Sequence, residues 1–126
     1  MQRDTQQQRA IRKVFNEAGH PLSPHEVLKN AQVLAPKLGI ATVYRVLKGL
    51  MLQGWLTPVE LPGEPQRYEV AGKPHHHHFS CRGCRKLYKM EGCPSDIARL
   101  VPPGFHMEDH ELIVYGLCDQ CRMATL

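Results

Sequence analysis

The sequence predicts an α+β chain of two unlike halves: an N-terminal winged helix-turn-helix joined by a short hinge to a small C-terminal α/β unit. Three observations predict it. The first 70 residues contain no cysteine and carry apolar residues at helical spacing, followed by two β-like segments around a Pro-Gly turn. From residue 75 onward the chain holds four consecutive histidines and all five cysteines. Between them, Ala71-Gly72-Lys73-Pro74 has the composition of a connection. The expected organisation is therefore 1–70, a hinge at 71–74, and 75–126.

Each element of the first half has a local signal. Gln6 to Phe15 sets Ile11, Val14 and Phe15 on one side of a helix that stops at Ala18-Gly19. Ser23-Pro24-His25-Glu26 reads as an N-cap, a proline in the first turn and a glutamate three residues on, a capping box that opens a short helix with Val27, Leu28 and Ala31 inward. A longer helix runs from about Ala41 to Gly54, with Val43, Val46, Leu47, Leu50, Met51 and Leu52 recurring three and four apart; its free face shows Thr42, Tyr44, Arg45 and Lys48. Trp55–Leu61 and Gln66–Val70 read as strands, with Pro62-Gly63-Glu64-Pro65 turning between them. Three helices and a hairpin make a winged helix-turn-helix whose third helix reads DNA.

In the second half, His75–Cys81, Lys86–Met90 and His110–Gly116 read as strands and Pro94–Leu100 as a short helix. The expected core of Leu87, Ile97, Leu100, Phe105, Leu112 and Val114 is thin, and units of this size lean on a metal or a partner subunit. Composition bounds the function further. No apolar run approaches the roughly 20 residues of a membrane span, which excludes a transmembrane protein. The N-terminus lacks the apolar stretch of a secretory signal, so a cytoplasmic location is expected. A net charge of +4 is compatible with nucleic acid without demanding it.

In a reducing compartment, eight histidines and five cysteines in 126 residues point to metal rather than disulfides. Cys81-x-x-Cys84 and Cys118-x-x-Cys121 supply two thiolate pairs, the donor set of a closed structural zinc site. Cys93 is left over and reads as a small buried hydrophobe. In His75-His76-His77-His78, strand alternation sends His76 and His78 to one side and His75 and His77 to the other. One short segment thus offers two imidazole pairs, with Glu69, His20 or His25, Asp96 and His110 as candidate further ligands. An enzyme is not expected. His25-Glu26 and His110-Glu111 begin like a zinc-protease signature, but the residues four positions beyond each histidine are Lys29 and Val114. A zinc-binding redox switch or metal buffer would leave the helical half unexplained.

Three stretches, Gly39-Ile-Ala-Thr-Val-Tyr-Arg-Val-Leu47, His75-His-His-His-Phe-Ser-Cys-Arg-Gly-Cys84 and His110-Glu-Leu-Ile-Val-Tyr-Gly-Leu-Cys118-Asp-Gln-Cys121, resemble the ferric-uptake-regulator family of metal-responsive repressors over essentially the whole chain. The resemblance implies a homodimer that binds operator DNA through the first half and dimerises and senses metal through the second. By it, Tyr44 and Arg45 match the base-approaching residues of the reading helix, with Thr42 beside them and Lys48 on the same free face. It assigns Glu69, His76, His78 and a first-half histidine (His20, with His25 in reserve) to a regulatory site. His75, His77, Asp96 and His110 go to an additional site, and the four paired cysteines to a structural Zn(II). Two departures bear on the metal. Where family members often carry Asp this chain has His77, and where many carry an acidic residue it has Lys89. A nitrogen-rich set suits Zn(II) better than Fe(II) or Mn(II), so a zinc-uptake type is favoured over an iron-, manganese- or peroxide-responsive one.

Overall fold

In the computed structural model, residues 6–73, 75–94 and 96–124 are described; Pro74 of the expected hinge, Ser95 of the expected helix and the first five residues lie outside this set. The chain divides into two compact units between Gly72 and Lys73.

The first unit opens with α1 (Gln6–Ala18), α2 (Pro24–Ala31) and α3 (Ile40–Leu52). Ser23 caps α2 as its sequence requires: its hydroxyl accepts the Glu26 N–H at 3.3 Å, and the Glu26 carboxylate accepts the Ser23 N–H at 2.9 Å. α3 ends where Gly54 adopts a φ of +78°, which L side chains rarely take. There the Gly54 N–H donates to the Met51 carbonyl and the Trp55 N–H to that of Leu50, both at 2.9 Å. That stop delivers Trp55 edge-on to Phe15, with ring centroids 6.3 Å apart, and under the Arg12 guanidinium.

A two-stranded antiparallel sheet follows, β1 (Leu56–Val59) with β2 (Arg67–Val70), Leu56 opposite Val70. Both strands are shorter than expected, because Pro58 and the Pro62–Pro65 turn limit the ladder. Paired backbone hydrogen bonds of 2.9 Å between Leu22 and Tyr68 tie the α1–α2 connection to β2. Ile11, Leu22, Val27, Val43, Leu47 and Leu50 form the fully buried centre. Leu52, expected on the inward face, is 79 % exposed, since it lies two residues, about 200° around the helix, from the buried Leu50.

The second unit is a three-stranded sheet of order β4-β3-β5, from β3 (His76–Cys81), β4 (Leu87–Glu91) and β5 (Ile113–Gly116). β3 and β4 pair antiparallel around the Cys81–Cys84 turn, with His76 opposite Glu91. β5 lies parallel to β3, His78 opposite Ile113, which requires the chain to cross over between β4 and β5. Among its described residues the crossover contains a 3-10 turn, Ile97–Leu100, in place of the expected helix from Pro94. The last strand starts at Ile113 rather than His110, because pairing with β3 begins there. A closing helix, α4 (Asp119–Ala124), had no expectation behind it. The expected core also needs correction: Leu87 is fully buried, but Leu100 is 83 % and Phe105 72 % exposed, since a sheet of this size covers little of the crossover.

Candidate functional site: metal centres and a reading helix

The Cys81-x-x-Cys84 turn follows β3, and Cys118-x-x-Cys121 runs from the end of β5 into α4. All five cysteines are free thiols, and the sulfurs of Cys81, Cys84, Cys118 and Cys121 lie within 4.8 Å of one another. The Cys84–Cys118 separation of 3.9 Å is close to the edge of about 3.8 Å that a tetrahedron with 2.3 Å zinc–sulfur bonds requires. The backbone is already arranged for thiolates. The N–H groups of Cys84 and Cys118 donate to the Cys81 sulfur at 3.4 and 3.3 Å, and Cys121 donates to Cys118 at 3.4 Å. Those donors pull the Cys81 thiol down to about 6, whereas the neighbouring sulfurs of Cys81 and Cys118 push Cys121 up to about 12. Four sulfurs this close cannot all ionise without a cation, and these donors fit Zn(II). The Tyr88 hydroxyl, 3.9 Å from the Cys84 sulfur, is raised by its hydrogen bond to Cys118 and by burial, so it stays a proton donor to the cluster.

The second cluster lies at the start of β3. The Nε2 atoms of His75, His77 and His110 are 3.1, 3.2 and 3.3 Å apart, and the Cys93 sulfur is 2.9 Å from that of His110 and 3.4 Å from that of His77. His77, the buried member at 2 % exposure, is held below the ordinary imidazole range, first by burial and then by the neighbouring histidines. The structure thus brings His75, His77 and His110 together but not Asp96, which is exposed at the start of the 3-10 turn and absent from the converging set. Cys93 takes that place. It is exposed, contrary to the expectation of a small buried hydrophobe. The hairpin register gives no signal for it: Glu91 shares a face with His76, so continued alternation would put Cys93 on the His76 side, and Gly92, at a φ of +86°, breaks that alternation just before it.

His76 and His78 form the alternate pair on β3, with ring centroids 4.9 Å apart. Lys89 of β4 faces His78 across the ladder and pairs with Glu91 at 3.4 Å. In the first unit Glu69 is buried on β2, the His20 ring lies 3.0 Å from the Pro21 carbonyl, and His25 is exposed on α2. α3 turns Val43, Leu47 and Leu50 inward, which leaves Tyr44, Arg45 and Lys48 exposed and Thr42 half-buried. A basic and aromatic outer face behind a capped helix and before a hairpin is the arrangement of a DNA-reading helix.

The sequence profile of the ferric uptake regulator family matches residues 2–115. The chain belongs to that family. It is accordingly a metal-responsive transcription regulator and not an enzyme. A ferric uptake regulation protein of Campylobacter jejuni is 29 % identical over 123 residues, covering 94 % of this chain and 78 % of that protein. The solved structure of a zinc-bound manganese uptake regulator is 25 % identical with a TM-score of 0.81, covering 93 % of this chain and 91 % of the other. That of a ferric uptake regulator from Francisella tularensis with iron is 29 % identical with a TM-score of 0.69, covering 96 % and 95 %. The winged-helix half followed by a small α/β half is the architecture expected from the sequence. No helix among the described residues is long and apolar enough to cross a membrane.

Proposed function

We propose that this chain is a homodimeric, zinc-responsive repressor that acts in the cytoplasm on operator DNA. The observation that carries the reading is the split of imidazoles along β3: His75 and His77 contact each other, as do His76 and His78. His76 and His78 thus form a pair apart from the His75 cluster, and we assign Glu69 and a first-half histidine, His20 before His25, to complete their ligand set. Zn(II) held there ties the end of the wing to the second unit across the short 71–74 segment. The four-cysteine cluster is the structural zinc site, closed to substrate because all four positions are protein sulfurs. Dimerisation is supported by Leu100, Phe105, Leu117 and Met123, large apolar side chains exposed on the second unit that a second copy would cover.

Repression then works by population shift. In a two-fold dimer the reading helices must stand about 34 Å apart to enter successive major grooves. A ligand set spanning the two halves holds them near that spacing, and a coupling of about 1–3 kcal/mol changes operator affinity about 5- to 150-fold. Zinc is favoured by imidazole-rich donors and by Lys89 standing where a carboxylate is common. Iron, manganese or peroxide response is the second reading, favoured by the names of the similar proteins. The test is an operator gel shift against buffered free Zn(II), Fe(II) and Mn(II) on the wild type and on the double variant His76→Ala/His78→Ala. Wild type should respond to zinc at the lowest free concentration, and the double variant should remain a folded dimer with no zinc response. A retained response would refute the assignment.

A further inference from the structure

We propose that the Cys93 thiolate, not the Asp96 carboxylate, completes the cluster of His75, His77 and His110 as a tetrahedral site of three imidazoles and one thiolate. That donor set makes it selective for a thiophilic, zinc-class ion over Fe(II) and Mn(II). This rests on reading the cluster as a metal site and changes its fourth ligand and its chemistry.

Geometry is the first argument. Metal–nitrogen bonds of about 2.05 Å and a metal–sulfur bond of about 2.3 Å give tetrahedral edges of about 3.4 Å between nitrogens and about 3.6 Å between nitrogen and sulfur. The three nitrogen edges measure 3.1, 3.2 and 3.3 Å, and the two sulfur edges to His110 and His77 measure 2.9 and 3.4 Å. Protons cannot satisfy this arrangement. An imidazole Nε2 either carries one hydrogen or offers one lone pair, so three Nε2 atoms in mutual contact always leave a pair of like groups facing each other. One cation accepts all three lone pairs and the thiolate together.

Donor chemistry is the second argument. Among the described residues, the converging atoms include no oxygen. Iron(II) and manganese(II) favour more ligands and harder ones, whereas three nitrogens and a sulfur suit a four-coordinate zinc-class ion. Access is provided as well: His77 is buried behind the site, while His75 and Cys93 are exposed in front of it.

Cobalt(II) spectroscopy reads both features directly. Zinc fills the four-cysteine cluster of the full-length protein, and two equivalents of Co(II), enough for both remaining sites, are then added. The wild type should show intense visible absorption of tetrahedral cobalt and a near-ultraviolet sulfur-to-cobalt charge-transfer band. Cys93→Ser should lose the charge-transfer band, and Asp96→Asn should keep the wild-type spectrum. Zn(II) should displace the cobalt stoichiometrically, and tenfold Mn(II) should not. Absence of the band in wild type, its persistence in Cys93→Ser, a spectrum altered by Asp96→Asn, or displacement by Mn(II) would each overturn the proposal. His76→Ala/His78→Ala should retain the band, because that pair brings no sulfur. Failure of the regulatory assignment therefore appears in the gel shift alone, and failure of this one in the spectrum alone.

Discussion

The sulfur of Cys81 accepts the backbone N–H of Cys118 at 3.3 Å across 37 residues of chain. One buried atom thus joins the β3–β4 turn to the end of β5, and closure of the second unit depends on the four-cysteine cluster. Tight packing around it makes a sharper test than removal of a ligand. A Cβ added at Gly83 would sit 2.8 Å from the Cys121 sulfur and 2.9 Å from its Cβ. Gly83→Ala should therefore leave every ligand in place but weaken zinc retention about 10- to 100-fold, the range for changes around a metal's ligands. Transfer of zinc to a chromophoric chelator measures it. Cys81→Ser should lose zinc outright and melt the second unit; a folded, zinc-free protein would show that the cluster is not a staple.

Arg45 stands exposed on the outer face of α3, on the opposite side from the buried Leu47 and Leu50 that fix the helix in the first unit. Arg45→Ala should leave the melting temperature unchanged and weaken operator binding by about 1–3 kcal/mol if the guanidinium meets a base edge. Fluorescence anisotropy with labelled operator duplex gives the value. An equal loss on operator and random duplex would make Arg45 a phosphate contact instead.

Burial, followed by its charged neighbours, holds His77 below its ordinary range. Sign follows from linkage. The unfolded chain binds the proton at about 6.5 and the folded chain only at lower pH, so stability is full above that value and declines as pH falls through 6.5 toward the folded value. Between pH 7.5 and 5.5 the urea midpoint of protein carrying zinc in the four-cysteine cluster alone should fall, and His77→Gln should flatten the decline. A parallel decline in the variant would place the effect on other histidines.

Much of this protein was legible because local chemistry dictates local structure. Ser23 and Glu26 predicted the capping box they form, and Gly54 predicted the end of α3. The spacing of the two cysteine pairs named four sulfurs that do converge. Alternation along an extended segment sorts four histidines into two pairs, since backbone geometry alone sets which side each takes.

Cys93 and Asp96 mark where that logic ends. Both follow β4 within a few residues, and sequence distance favours neither as a partner for histidines 75, 77 and 110. Their fates are decided by Gly92, whose φ of +86° ends the strand alternation before Cys93 meets His77 and His110, and by the 3-10 turn that leaves Asp96 exposed at its start. The same holds for Leu100 and Phe105, apolar residues that a pattern sends inward and a three-stranded sheet leaves uncovered. The sequence by itself determined the family, the order of elements and the kinds of donor available. Which donors meet at one point was decided by the tertiary structure alone, because coordination depends on distances in space that turns and crossovers set and spacing along the chain does not.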